Sequence, residues 1–263
     1  MEKIAIISDI HGNITALNAA LEDISKRDIK KIFCLGDLVI KCPEPDLVVD
    51  IIREKCEVVI KGNCDDIVVN NCTIPIQFWT REKLGQDRLE FLDNLPVSYD
   101  FHMSGYLVRL FHASPFSLEN IYNPMYKNKG RYKNFELPSA DLLFKNTPFI
   151  AKTDKDPIPD IIGYGHLHTP NLYRFQNKTI FNPGSLGVPM ELSNIDKADP
   201  HVHFSTLASY MIIEGDLNSK TLGSISFNLI RLPYDVEKEV SFLESSDMPD
   251  KERTISKLRT ATY

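Results

Sequence analysis

Residues 4–13 run Ile4-Ala5-Ile6-Ile7-Ser8-Asp9-Ile10-His11-Gly12-Asn13. The unbroken apolar run at the start has the length of a buried strand. Behind it, Ile14 to Leu21 repeats apolar residues at helical spacing, with Asn13 as a capable N-cap and the helix extending to about Arg27. Between strand and helix stand a carboxylate and an imidazole, Asp9 and His11, on a turn where both side chains can converge on one ion. The layout recurs downstream. Lys31 to Leu35 is an apolar strand ending at Gly36-Asp37, and Glu57 to Ile60 is another ending at Gly62-Asn63-Cys64-Asp65. Between them Pro45 opens a helix with an apolar stripe of Leu47, Val48, Ile51 and Ile52. Strands alternating with helices predict βαβ units and a parallel sheet, where ligands bind beyond the carboxyl ends of the strands.

Further along, helical spacing covers Arg81 to Asn94, with Leu84, Leu89, Phe91 and Leu92 facing a core. Val97–Phe101 and Tyr106–Phe111 are two strands around a Ser104-Gly105 turn, the second of which delivers His112. Residues 115–159 lack a period and form a cap-like insertion, after which Asp160–Tyr164 returns to strand and delivers Gly165-His166-Leu167-His168. A hairpin, Leu172–Phe175 with Thr179–Phe181, leads into Asn182-Pro183-Gly184-Ser185, and a second hairpin joins Ser209–Glu214 to Ser224–Leu232. The tail, 234–263, is charged and helical in character. Residues 1–263 form one domain, with no internal repeat or low-complexity linker.

Composition narrows the class. A chain of 263 residues with 43% hydrophobic content can bury a sizeable core. A net charge of −6 argues against a protein built to coat nucleic acid, so nucleic acid is a disfavoured partner. No run of eighteen apolar residues is present, so no membrane span is expected. The five cysteines, Cys34, Cys42, Cys56, Cys64 and Cys72, form no C-x-x-C pair. With no secretory leader ahead of the first strand, they suit reduced thiols and a cytoplasmic location.

The chemistry lies in the collected clusters. Asp9, His11, Asp37, Asn63, His112, His166 and His168 offer oxygen and nitrogen donors without thiolate dominance, a set suited to manganese, iron or zinc. It exceeds what one ion takes, but fits two ions sharing a carboxylate. Two ions about 3.5–4 Å apart lower the pKa of a bridging water and neutralise charge on a phosphoryl group. A lone Asp-x-His turn is more often a loop with a satisfied carboxylate. The joint pattern, each cluster at a strand end, reverses that reading.

The ordered set D-x-H, G-D, G-N-x-D, H and G-H-x-H resembles the calcineurin-like metallophosphoesterase superfamily, from Asp9 to His168. The later Asn182-Pro183-Gly184-Ser185-Leu186-Gly187 is similar to a feature of its small bacterial branch. The resemblance implies an α/β (α+β) fold, a four-layer αββα sandwich of two mixed β-sheets flanked by helices. It implies two divalent transition-metal ions, manganese first, with iron, zinc or nickel also accepted. Asp9, His11, Asp37 and His168 would hold one ion; Asp37, Asn63, His112 and His166 would hold the other. A dimetal-bridging hydroxide would attack phosphorus, while Asn63 also contacts the substrate.

This chain departs from the commonest pattern at Cys64, where many members carry histidine as the acid for the leaving group. A thiol is the poorer acid, and the phosphodiesterase subgroup that this chain resembles also has cysteine there. The expected substrates are therefore phosphodiesters or anhydrides, including nucleotide-type diesters and dinucleoside polyphosphates. Alternatives are a phosphomonoesterase, or a scaffold module on the same fold that has lost catalysis. Asp65 then has the role of stabilising the turn. In the insertion, Tyr122, Tyr126, Lys127, Lys129, Arg131, Tyr132 and Lys133 interleave aromatic rings and positive charge in a manner that would stack a nucleotide base. His102 reads as a turn residue. His201 and His203 read as loop residues, and are the candidates to supply the missing acid. The oligomeric state stays open.

Overall fold

The computed structural model describes residues 1–120, 140–151, 153, 155–193 and 201–259. Two five-stranded mixed sheets face each other. The first runs β12-β11-β1-β2-β3 and the second β4-β5-β6-β8-β7. In the first, β1 (Glu2–Ile7), β2 (Lys31–Cys34) and β3 (Val58–Val59) are parallel. The C-terminal hairpin, β11 (Leu207–Gly215) and β12 (Ser226–Pro233), adds antiparallel beside β1, with Ile4 opposite Ile213 and Ile6 opposite Met211. In the second sheet β4 (Ser98–Met103) pairs antiparallel with β5 (Tyr106–Phe111). Next to β5, β6 (Ile161–Tyr164) and β8 (Lys178–Asn182) run parallel to it, and β7 (Asn171–Phe175) closes the edge.

Strand alternation explains the layers. Successive side chains point to opposite faces of a sheet. On β1, Ile4 and Ile6 join the layer between the sheets, with Phe33, Leu35, Val108, Leu110 and Phe181. Ala5 and Ile7 face the helical side, against Leu17, Ala20 and Ile24 of α1 (Ile14–Lys26). Both faces are dry, as the continuous apolar run requires. The outer face of the second sheet carries Phe111, Ile162, Tyr164 and Ile180, covered by Leu143 and Phe144 of a 3-10 turn at Ala140–Phe144.

Several local expectations need correction. In α2 (Pro45–Lys55) the buried stripe is Pro45, Val48, Val49 and Ile52. Leu47 is 46% exposed, because a helix turning 100° per residue cannot bury both Leu47 and Val49 on one narrow face. A short helix absent from the sequence reading, α3 (Asn63–Asn70), begins at Asn63 itself. The next, α4 (Pro75–Asp93), starts earlier than Arg81 and is broken at Gly85, whose φ of 68° leaves the helical region. His102 lies within β4, and His201 and His203 lie in β10 (His201–Phe204). That strand pairs with β9 (Met190–Ser193) in a separate two-stranded ribbon.

The C-terminal segment is docked. Its helices, α5 (Val236–Ser245) and α6 (Lys251–Arg259), bury Val240, Leu243 and Leu258 with Cys42 and Met248. Glu239 reaches α1, where its Oε2 accepts the Thr15 N–H at 3.1 Å. The stretch 121–139 of the expected cap, with Tyr122, Tyr126, Lys127, Lys129, Arg131, Tyr132 and Lys133, lies outside the described residues. Among the described residues no helix is long and apolar enough to cross a membrane.

Candidate metal centre

Every cluster singled out in the sequence stands just past the carboxyl end of a parallel strand, and the two sheets bring these ends together. Asp9 and His11 follow β1, and Asp37 follows β2. Asn63 follows β3, His112 follows β5, and His166 and His168 follow β6. The turns are tight. Asp9, His11, Asp37, His166 and His168 all have left-handed φ, from 53° to 65°. Non-glycine residues seldom adopt that region, and clusters of such residues occur where the surroundings over-determine a working geometry. Here the surroundings are backbone staples. Asp9 N–H donates to Gly36 O, and His11 N–H to Asp37 O, both at 3.0 Å.

Two groups of ligand atoms result, each within 4.8 Å: Asp9, His11 and His168, and Asp37, His112 and His166. Asp37 joins them. Its Oδ2 lies 3.6 Å from His11 Nε2 and its Oδ1 3.4 Å from His112 Nε2. Asn63 Oδ1 completes the second group, 2.8 Å from His166 Nδ1 and 3.1 Å from His112 Nε2.

Three of the four histidines are held by their outer nitrogens. Nδ1 of His11 meets Val39 O at 3.1 Å, Nδ1 of His112 meets Leu35 O at 2.6 Å, and Nδ1 of His168 meets Val188 O at 2.7 Å. A carbonyl only accepts, so each Nδ1 carries a proton and each Nε2 faces the cluster. The Nε2 atoms of His11 and His168 then stand 3.1 Å apart. Beside them Asp9 Oδ1 is buried without a hydrogen-bond partner, 3.2 Å from His168 Nε2. Lone pairs converging in a buried pocket, with an orphaned carboxylate oxygen, are a donor set that fits a cation.

Electrostatics agree. Burial alone would raise the carboxyl of Asp9, yet His168 beside it holds it well below the usual range. Burial likewise opposes ionisation of Asp37, but His112 and His11 keep it ionised. The same pairing lifts His112 to about 9 against the penalty of burial. His166 is pushed down to about 4 by burial and by His112. The two carboxylates thus draw positive charge into the pocket, a place that divalent ions would fill.

Supporting residues lock the turns. Asp65, read from the sequence as a turn stabiliser, accepts three backbone N–H groups at 2.9 Å, from Asp37, Leu38 and Gly62. Gly62 must be glycine, because a Cβ there would lie 2.2 Å from Asp37 N and 2.3 Å from Asp37 Oδ1. The Asn182–Gly187 segment ties motif to motif. Asn182 Nδ2 donates to Gly165 O at 2.7 Å, and Ser185 Oγ to Asp9 O at 2.7 Å. Two polar partners were missed in the sequence. Ser8 Oγ donates to Asp9 Oδ2 at 2.5 Å, a contact hidden because Ser8 reads as the end of a strand. Lys41 Nζ stands 2.7 Å from His11 Nε2, and nothing local in Ile40-Lys41-Cys42 marks it.

Cys64 is buried, with its N–H donating to Asp37 Oδ1 at 2.8 Å. Burial and the neighbouring Asp37 push its thiol well above the usual range. Its sulfur forms a third group of donor atoms with His11 and Asp37, all within 4.8 Å of one another. His203 lies in the β9–β10 ribbon, in register with Glu191.

Residues 2–198 match the model of the calcineurin-like phosphoesterase superfamily domain. An uncharacterized protein of Methanocaldococcus jannaschii is 29% identical, with 94% of each chain covered. A metallophosphoesterase from Sphaerobacter thermophilus superposes with a TM-score of 0.66 at 23% identity, over 97% of this chain and 98% of that one. A hypothetical protein from Pyrococcus horikoshii gives a TM-score of 0.68 at 19% identity, over 98% of each chain. With the matching segment spanning all five motifs, the chain belongs to the calcineurin-like phosphoesterase superfamily and is a metal-dependent phosphoester hydrolase.

Proposed function

We propose that the protein is a two-metal phosphodiesterase acting on nucleotide-type diesters or dinucleoside polyphosphates. The observation that carries the two-metal reading is Asp37, whose oxygens face separate histidine groups at 3.6 Å and 3.4 Å. Asp9, His11, Asp37 and His168 would hold one divalent ion, and Asp37, Asn63, His112 and His166 the other. Bound there, such ions supply a nucleophile at neutral pH and neutralise phosphoryl charge. Manganese suits the mixed oxygen and nitrogen donors, as do iron, zinc and nickel.

The chain's own residues do the rest. The Nδ1–H bonds of His11, His112 and His168 to carbonyls orient each ring before any ligand arrives, so little reorganisation remains. Asn63 adds an oxygen donor without another negative charge to repel a phosphate. Cys64 supports diesters over monoesters. A buried thiol is a weak hydrogen-bond donor, so the site favours leaving groups that need little protonation. Nucleotide binding rests on the aromatic and basic residues of the insertion between Tyr122 and Lys133. A cytoplasmic location is proposed with it, on the strength of the five cysteines without C-x-x-C pairing.

The test is hydrolysis of a bis-aryl phosphate diester and the matching aryl monoester by chelator-treated protein with manganese restored. Diester turnover well above monoester turnover is expected, and the reverse order overturns the phosphodiesterase reading. Asp37→Ala should abolish turnover and reduce manganese binding from two ions. Substantial residual activity in that variant would count against the shared carboxylate.

A further inference from the structure

The loop after Asp37 lies across the first motif and is fastened to it. Gly12 N–H donates to Leu38 O at 2.8 Å, Cys42 N–H to His11 O at 2.8 Å, and Glu44 N–H to Gly12 O at 3.2 Å. A Cβ on Gly12 would come within 2.5 Å of Cys42 O, so the two backbones are in direct contact. Within this loop Ile40 and Lys41 take φ of 68° and 80°. A β-branched residue in the left-handed region is a genuine outlier, costing on the order of 1–3 kcal/mol. Held on both sides by backbone bonds, this strained pair turns the Lys41 side chain towards the metal centre. Nζ lies 2.7 Å from His11 Nε2 and 3.4 Å from His168 Nε2.

Two other lysines among the described residues are engaged elsewhere. Lys83 pairs with Glu44 and Asp46, and Lys61 with Asp66 and Asp93. Lys41 instead presents its ammonium to ring nitrogens, and its charge favours the ionised form of Asp37 while disfavouring protonation of His11. An ammonium and a divalent ion cannot share the same two nitrogens. With an ion on those nitrogens, the four-carbon stem of this half-buried lysine would let the ammonium withdraw by a few ångströms while staying beside the centre, within reach of a phosphate bound there.

We propose that Lys41 is a substrate-binding residue whose ammonium takes a non-bridging phosphate oxygen over the Asp9–His11–Asp37–His168 side of the centre. This rests on the two-metal reading. It adds to that reading a fixed protein cation, so that part of the phosphate charge is met by the chain itself. The consequence is a site graded by phosphate charge. Inorganic phosphate and anhydride chains gain more from Lys41 than a singly charged diester does.

The experiment is calorimetry in two stages on wild type, Lys41→Met and Lys41→Arg. Manganese is first titrated into chelator-treated protein, then inorganic phosphate into the manganese-loaded protein. Lys41→Met should bind manganese at least as tightly as wild type, because a repelling charge has gone. Its phosphate affinity should fall about ten- to hundredfold, the worth of one hydrogen bond to a charged group. Lys41→Arg keeps the charge and should stay within about threefold of wild type, which separates loss of charge from a disturbed loop. With the diester, KM should rise more than kcat falls. A phosphate Kd for Lys41→Met within about twofold of wild type overturns the assignment while leaving the two-metal reading intact. Failure of the wild type to bind manganese overturns both, and is seen in the first stage alone.

Discussion

Asp65 is the residue on which the metal centre's scaffold most depends, and its removal has a size that can be worked out. Its carboxylate is fully buried and accepts the N–H groups of Asp37, Leu38 and Gly62, each at 2.9 Å. Two of these donors belong to the turn carrying Asp37, and the third precedes Asn63. Burial and the neighbouring Asp37 push the Asp65 carboxyl up to about 7, against the N–H donors of Gly62 and Leu38. In Asp65→Ala three buried N–H groups lose their acceptor, each worth about 1–3 kcal/mol. Stripping one partner from a buried charged network costs about 3–5 kcal/mol. The two estimates overlap, and we expect a loss of roughly 3–5 kcal/mol, a large share of the 5–15 kcal/mol that holds a typical domain together. Asp65→Asn keeps the shape but turns an amide N–H₂ on at least one backbone donor, so its loss should be smaller, roughly 2 kcal/mol. The assay is urea unfolding of chelator-treated protein at pH 8, comparing midpoints at constant m-value. Two variants both within about 1 kcal/mol of wild type would refute this account of the turn.

Two further outcomes are expected. Glu239 of α5 is buried against the start of α1, and burial pushes its carboxyl from 4.5 up to about 7. Because the folded state binds this proton more tightly than the unfolded chain, its contribution is present below pH 4.5 and is lost as pH rises to 7, by at most about 3 kcal/mol. Glu239→Gln should therefore lose less stability than wild type between pH 5 and 7.5 in urea titrations; parallel pH profiles would rule this out. Cys64→His replaces a thiol held neutral beside Asp37 by an imidazole able to donate near neutral pH. The monoester-to-diester ratio of kcat/KM should rise by about tenfold or more. An unchanged ratio would remove position 64 from proton transfer.

Much of this protein is legible along the chain. The run Ile4-Ala5-Ile6-Ile7 could only be a strand buried on both faces, and Asn13 could be recognised as the cap of α1, whose Ala16 N–H it accepts at 2.9 Å. Asp9, His11, Asp37, Asn63, His112, His166 and His168 could be picked out because chemistry-bearing residues at strand ends are a local pattern. The breaks and starts of helices were harder. Leu47 looks as apolar as Val49, and only the direction of packing left it 46% exposed. The helix α3 is too short to show a period, and His203 became a strand residue only through its pairing with β9.

What the sequence determined by itself was the inventory: strand-ending turns, donor types that suit a divalent transition metal, and a thiol where an imidazole would be the stronger acid. The tertiary structure decided the division of labour. That Asp37 faces two histidine groups, that Asp65 holds three N–H groups, and that Lys41 stands over His11 are matters of distance between β1, β2, β3, β5 and β6. Residues as far apart as His11 and His168 meet only because parallel strands from two sheets end at one edge. Donor chemistry belongs to each side chain and survives in one dimension. Bridging and charge compensation depend on separations of a few ångströms, which come into being when the sheets pack.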